Sequence, residues 1–177
     1  MKILNLHGYG AQPHNGFFYA LAEYHAGEIL LPAIAYEREA PTDIFGKLLA
    51  LCRTEKPDVV TGSSMGGFFA ALLSCETGTR AVLVNPCMFP QITLPRIGMR
   101  NPAFVRQYMQ LSAQLVTLEN AYAIIGGKDE LITYHDFTQF LLPPGHSIIA
   151  PEGGHASATM PLADIFETYG EILFGMK

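Results

Sequence analysis

Three side chains, far apart in the chain, have the types needed to make a hydroxyl nucleophilic: Ser64, Asp129 and His155. An imidazole can draw the proton from a serine hydroxyl while a carboxylate fixes the imidazole's tautomer, and the chemistry such a trio supports is acyl transfer. Ser64 is centred in Gly62-Ser63-Ser64-Met65-Gly66, a G-x-S-x-G pattern; centring on Ser63 would put Thr61 and Met65 at the glycine positions. The motif follows Val59-Val60 and precedes Phe68-Phe69-Ala70-Ala71-Leu72-Leu73, so it reads as a sharp strand-to-helix turn. A turn of this kind lifts the central hydroxyl clear of a sheet and sets it at a helix N-terminus. A Gly/Ser-rich turn can instead cradle a phosphate or cap a helix, but the chain has no Lys where a P-loop needs one and no G-x-G-x-x-G.

The remaining groups fall in the chain order Ser, then Asp or Glu, then His. Asp129 comes first after the Gly126-Gly127-Lys128 turn, with Glu130 as the reserve acid. His155 sits in Pro151-Glu152-Gly153-Gly154-His155-Ala156, a glycine-flanked loop suited to a base that must move. An oxyanion would need two amide donors. The Met65 N–H is one, and the Tyr9 N–H, in Leu6-His7-Gly8-Tyr9-Gly10-Ala11-Gln12-Pro13, is the other. His7 is expected to hydrogen-bond locally, and His25, His135 and His146 to lie solvated on helix surfaces or loop ends. No HxH or HExxH spacing points to a metal, and no cofactor-binding motif is present.

Placing these groups on one rim requires a particular set of elements. Nearly continuous apolar runs at 2–6, 28–34, 58–62, 80–85, 121–126 and 146–150 read as strands covered on both faces. Helical patterns at 16–26, 42–55, 65–77, 133–141 and 160–174 alternate with them. This predicts an α/β fold: one mostly parallel sheet of about six strands with helices on both faces, spanning residues 1–177 as one domain. The 35 residues 86–120 break the rhythm; four prolines chop their first half and 103–116 reads as one helix. They are expected to form a cap over the carboxyl ends of the strands, where open α/β sheets bind ligands. Between Thr77 and Leu118 there is no Asp or Glu, while Arg80, Arg96, Arg100 and Arg106 are present. Met88 and Phe89 with Arg96 and Arg100 are therefore candidates to receive an acyl chain and an anionic head group, against the plainer expectation of core packing with solvated arginines.

A chain of 177 residues, 49% hydrophobic and 15% charged, can bury a substantial core. Its net charge of −5, without a Lys/Arg cluster, argues against a nucleic-acid partner. Cys52, Cys75 and Cys87 show no paired spacing and are expected to be buried, reduced thiols. No apolar run reaches the roughly 18 residues of a membrane span, and the start, MKILNLHGYG, lacks secretory-signal features. A soluble, cytoplasmic protein is expected; the sequence does not give its oligomeric state.

Taken together, HGYG, GSSMGGFFA, LVNP, GGKDELITYHDF and EGGHA, in that order, resemble the α/β-hydrolase superfamily and, within it, the small bacterial YqiA-type esterases. The resemblance implies a serine esterase whose small-molecule substrate is a carboxylic ester or acyl thioester, with Ser64 as nucleophile, Asp129 as acid and His155 as base. Two alternatives stand beside it: an amidase or peptidase with the same trio, and a hydrolase-fold binding protein that no longer catalyses.

Overall fold

The computed structural model of the chain describes residues 1–175. The strands are β1 (Lys2–Leu6), β2 (Glu28–Leu30), β3 (Val59–Ser63), β4 (Arg80–Val84), β5 (Ala121–Gly126) and β6 (Ser147–Ala150). They form one parallel sheet in the order β2-β1-β3-β4-β5-β6. The expected α/β architecture is therefore what the chain adopts.

Successive strand residues point to opposite faces, and in the four central strands both faces are dry, while the edge strands β2 and β6 are partly exposed. Ile3, Val59, Val82 and Ile124 pack into one core with α1 (Gly16–Tyr24) and α7 (Leu162–Phe174). Leu4, Val60, Leu83 and Ile125 pack into the other with α2 (Pro41–Glu55), α3 (Met65–Thr77) and α5 (Pro102–Ser112). Helix α3 lies at the centre of that second layer, with every residue from Met65 to Ser74 buried. Hydrophobicity all round the helix is what such a position demands.

Strand order reverses between β1 and β3, which opens a crevice at their carboxyl ends. Register aligns the other exits: Ser63 pairs with Val84, Val84 with Ile124, and Ile124 with Ile148. The loops leaving β3, β4, β5 and β6 consequently emerge side by side along one rim.

Several boundaries differ from the sequence expectation. β2 stops at Leu30, ahead of Pro32, which cannot donate to a ladder. The proline-rich stretch after β4 contains a further helix, α4 (Pro90–Arg96), whose first residue tolerates proline because its N–H would be unpaired anyway. α5 ends at Ser112 rather than 116, and α6 (His135–Leu141) begins two residues later than expected. α7 starts at Leu162, after a 3-10 turn over Ser157–Thr159, because Pro161 holds Met160 out of helical geometry. No described helix is long and apolar enough to cross a membrane.

Helix α3 runs so close to β1 that a Cβ on Gly66 would overlap the Leu6 carbonyl, whereas one on Gly46 in α2 would meet nothing. Gly66→Ala should therefore cost about 3 kcal/mol or more by forcing backbone apart. Gly46→Ala should be neutral or stabilise by about 0.5–1 kcal/mol through backbone entropy. Denaturant midpoints of the two variants test the contrast.

Candidate active site

The turn between β3 and α3 is one residue long. Gly62 and Gly66 approach so closely that a Cβ on Gly62 would collide with the Gly66 carbonyl. Ser64 bridges them with φ 52° and ψ −115°, a positive φ that a side chain rarely adopts. Such a conformation costs about 1–3 kcal/mol. Two backbone hydrogen bonds oppose the strain: the Ser64 N–H donates to the Val84 carbonyl (2.9 Å), and the Cys87 N–H donates to the Ser64 carbonyl (3.0 Å). At about 1 kcal/mol each, they are of the size needed to hold it.

The hydroxyl raised by this turn meets His155, whose Nε2 lies 3.1 Å from Ser64 Oγ. The opposite ring nitrogen, Nδ1, lies 3.0 Å from both Asp129 oxygens. A carboxylate only accepts, so Nδ1 carries the proton, Nε2 is the acceptor, and the Ser64 hydroxyl donates. Asp129 is 1% exposed and is held from three directions. Its Oδ1 accepts from the Leu131 and Ile132 amides (2.9 and 2.8 Å), and its Oδ2 accepts from His135 Nε2 (3.0 Å). Burial pushes the Asp129 pKa up, but hydrogen bonds from His135, His155 and the Ile132 amide outweigh it and hold the carboxyl well below the usual carboxylate range.

The His155 loop is fixed by groups the sequence reading did not single out. Asn85, fully buried just beyond β4 with φ 44°, donates from Nδ2 to the Gly154 and His155 carbonyls (2.8 and 3.2 Å). Its Oδ1 accepts from the Gly126 N–H (2.7 Å), so one amide ties together the exits of β4, β5 and β6. Glu130, the reserve acid, does not reach the His155 ring; it accepts from the His155 backbone N–H (3.2 Å). A signal for Asn85 was present in the chain, since an amide directly after a buried strand and before Pro86 has no packing reason to be there.

On the other side of Ser64 the loop after β1 is fastened by His7. Its Nε2 accepts from the Ile34 N–H (3.0 Å), so its Nδ1 donates to the Gly8 carbonyl (2.9 Å). Burial lowers the pKa of this ring, against the Gly8 hydrogen bond, which keeps it neutral. Tyr36 OH donates to the His7 carbonyl (2.5 Å). His7 thus reaches well beyond its local turn. Among the described residues, neither the Tyr9 nor the Met65 N–H is paired with a protein acceptor.

Ser64, Met65, Tyr9 and His155 border a cavity of about 250 Å³. Thr93, Leu94 and Ile97, from α4 and just beyond it, form part of its wall, together with Cys87, Leu131 and Ala156. Tyr134 secures α4 to the loop after β5: its hydroxyl is hydrogen-bonded to Thr93 and donates to the Phe89 carbonyl (3.3 Å). None of the residues bordering the cavity is Asp, Glu, Lys or Arg. Burial pushes the Cys87 thiol up to about 11, so it stays protonated and is no rival to the serine.

Four expected lining residues lie elsewhere. Met88 is 0% exposed in the core, and Phe89 packs its ring against Tyr134 and Phe137. Arg96 is exposed outside the cavity, and Arg100 lines a separate open groove with Met99 and Arg106. Met88, Leu94, Met99, Tyr108 and Leu111 pack inward because α4 and α5 rest on the α3 layer, whereas Ile92, Ile97 and Met109 are exposed together with the arginines. The solvated histidines also need correction: His135 is bound to Asp129, His25 donates to the Met1 carbonyl (2.7 Å), and His146 donates to the Ala121 carbonyl (3.0 Å) while stacking on Tyr122. Cys52 and Cys87 are buried as expected, but Cys75 is only partly so.

The lowered Asp129 value has a consequence in acid. An unfolded aspartate titrates near 3.9. With the folded value below that, the charged Asp129 stabilises the fold at higher pH and loses this contribution as pH falls through about 4 toward the folded value. The stability gap between wild type and Asp129→Asn, from urea unfolding, should shrink between about pH 5 and pH 3. A gap unchanged over that interval would contradict a charged, hydrogen-bonded Asp129.

The chain superposes on a metagenome-derived lipolytic enzyme described with LipS and LipT (TM-score 0.72, 14% identity, 99% of this chain and 94% of that one). It is similarly close to MGS-MChE2, an α/β hydrolase from the metagenome of lagoon sediments at Mar Chica, Morocco (0.69, 14%, 97% and 90%). A protein from Xanthomonas campestris pv. campestris assigned to the α/β hydrolase superfamily is a third neighbour (0.62, 20%, 94% and 97%). These likenesses show the α/β-hydrolase fold. No functionally curated protein matches in sequence. The UPF0227 model, described as an uncharacterised protein family, matches residues 2–124, a span that holds Tyr9, Ser64 and Asn85 and stops before Asp129 and His155. With well over half of its length matched, the chain belongs to the UPF0227 family.

Proposed function

We propose that the protein is a serine hydrolase that cleaves small, uncharged carboxylic esters or acyl thioesters through an acyl-enzyme on Ser64. The observation that carries this reading is the unbroken hydrogen-bond chain from Ser64 Oγ through His155 to Asp129, opening into a cavity. His155 Nε2 takes the Ser64 proton as Oγ attacks the acyl carbon, and the tetrahedral oxyanion forms against the Tyr9 and Met65 amides. His155 then protonates the leaving alcohol or thiol, and the same groups activate water to release the acid. Asp129 stays ionised and stabilises the imidazolium formed in each half.

Cavity size and lining support the substrate class. About 250 Å³ falls below the roughly 300–1,000 Å³ of pockets for drug-sized ligands, which favours a short acyl group. Walls without a formal charge favour a neutral one. Residues 86–120 act as the cap, supplying Thr93, Leu94 and Ile97. Three free cysteines suit a reducing cytoplasm.

Ser64→Ala and His155→Ala should each lower kcat by about 10⁶, and Asp129→Asn by about 10⁴, on a short nitrophenyl ester. Ser63→Ala should stay near wild type. A fluorophosphonate should label Ser64 in the native protein; a protein that is neither labelled nor active on a panel of esters, thioesters and amides would be a binder, while turnover of amides alone would replace the ester assignment. Ile97 is partly exposed at the cavity edge, so Ile97→Ala should shift preference toward longer acyl chains without unfolding the protein.

A further inference from the structure

We propose that His135 is a positioning residue for this reaction, a second imidazole that keeps the Asp129 carboxylate squarely shared with His155. The inference rests on the serine-hydrolase reading above. Asp129 receives its donors unevenly. Oδ1 is pulled by two backbone amides, Leu131 and Ile132, both within 2.9 Å. Apart from the His155 proton shared between the two oxygens, the only donor to Oδ2 among the described residues is His135 Nε2, at 3.0 Å. Without it, the carboxylate would turn toward the amide side to satisfy a buried negative oxygen, and the His155 ring would follow. The symmetric placement of His155 Nδ1, 3.0 Å from each oxygen, is what a balanced pull produces.

The other face of His135 says how it acts. Its side chain is 11% exposed, and its Nδ1 is buried with no partner among the described residues. A proton there would be a buried, unpaired donor, which is costly, so the ring holds a single proton on Nε2. His135 therefore offers a hydrogen bond without a full positive charge, which leaves the charge of Asp129 available to the imidazolium on His155. The placement is local: Tyr134 and His135 are consecutive at the start of α6, one fastening the cap helix and the other the acid.

The test combines kinetics and spectroscopy on the full chain. His135→Ala and His135→Asn remove the donor at the Nε2 position, whereas His135→Gln can present an amide N–H at a similar reach. Kinetically, the Ala and Asn variants should lose about 10- to 100-fold in kcat with KM within about threefold, and Gln should recover most of the loss. A merely structural role would instead move the unfolding midpoint of all three variants and leave kcat of the folded fraction unchanged, which overturns the proposal. Nitrogen-15 NMR of the wild-type histidines supplies a readout that needs no variant to fold. Once the rings are assigned, it should show His135 protonated at Nε2 and bare at Nδ1; the opposite tautomer at His135 refutes it. Ser64→Ala separates the two levels: activity surviving that change ends the serine-hydrolase reading itself, while its loss alongside wild-type kcat in His135→Asn ends only the role given to His135.

Discussion

The site depends on a backbone constraint before it depends on any side chain. β3 must stop and α3 must start within a single residue, packed against the end of β1. Gly62 and Gly66 make this possible by leaving no Cβ where the Gly66 and Leu6 carbonyls already sit. Ser64 then has little choice of conformation, and its positive φ is the result. Because the helix enters at β1, the loop after β1 is brought beside the serine by the same contact. The hydroxyl and its amide neighbours are therefore consequences of one close approach.

Around that constraint, charge is handled by hydrogen bonds. Burying a carboxylate costs several kcal/mol unless donors replace its water. Asp129 has two backbone amides and two imidazoles in place of water, which decides the contest in favour of its ionised form. The cavity wall, by contrast, carries no formal charge. A charged carboxylate thus lies behind a cavity whose wall has no formal charge, so its charge is balanced by its own donors and not by the wall.

Much of this was legible in the chain, and the reasons differ by residue. The strands were readable because burial on both faces makes them continuous apolar runs, and G-x-S-x-G because glycines between two buried elements serve a steric purpose. Asp129 and His155 could be located by their order after strands, and the structure brings them to Ser64; Oγ, imidazole and carboxylate lie within hydrogen-bond reach. In the segment 86–120 the plainer expectation holds, with Met88 in the core and Arg96 and Arg100 in water; composition alone also allowed a binding face, because it does not say which side of a short helix meets the core. His135 was missed for a similar reason: its partner is six residues back across a turn, a distance with no helical or strand period to expose it. Asn85 lies within the LVNP motif, but its task was not legible there because its partners come from the end of β5 and the loop after β6.

The arrangement at Asn85 also bears on how the protein would fail. The loop that carries His155 is joined to the sheet there by a single buried amide and a few polar links, while the sheet itself is clamped between two apolar layers. Segments held this way can detach at a lower free energy than the core needs to melt. On warming, the imidazole would swing out of register while both apolar layers remain intact. The hydrogen bond between His155 and Ser64 would then be lost before the fold is, and re-form on cooling.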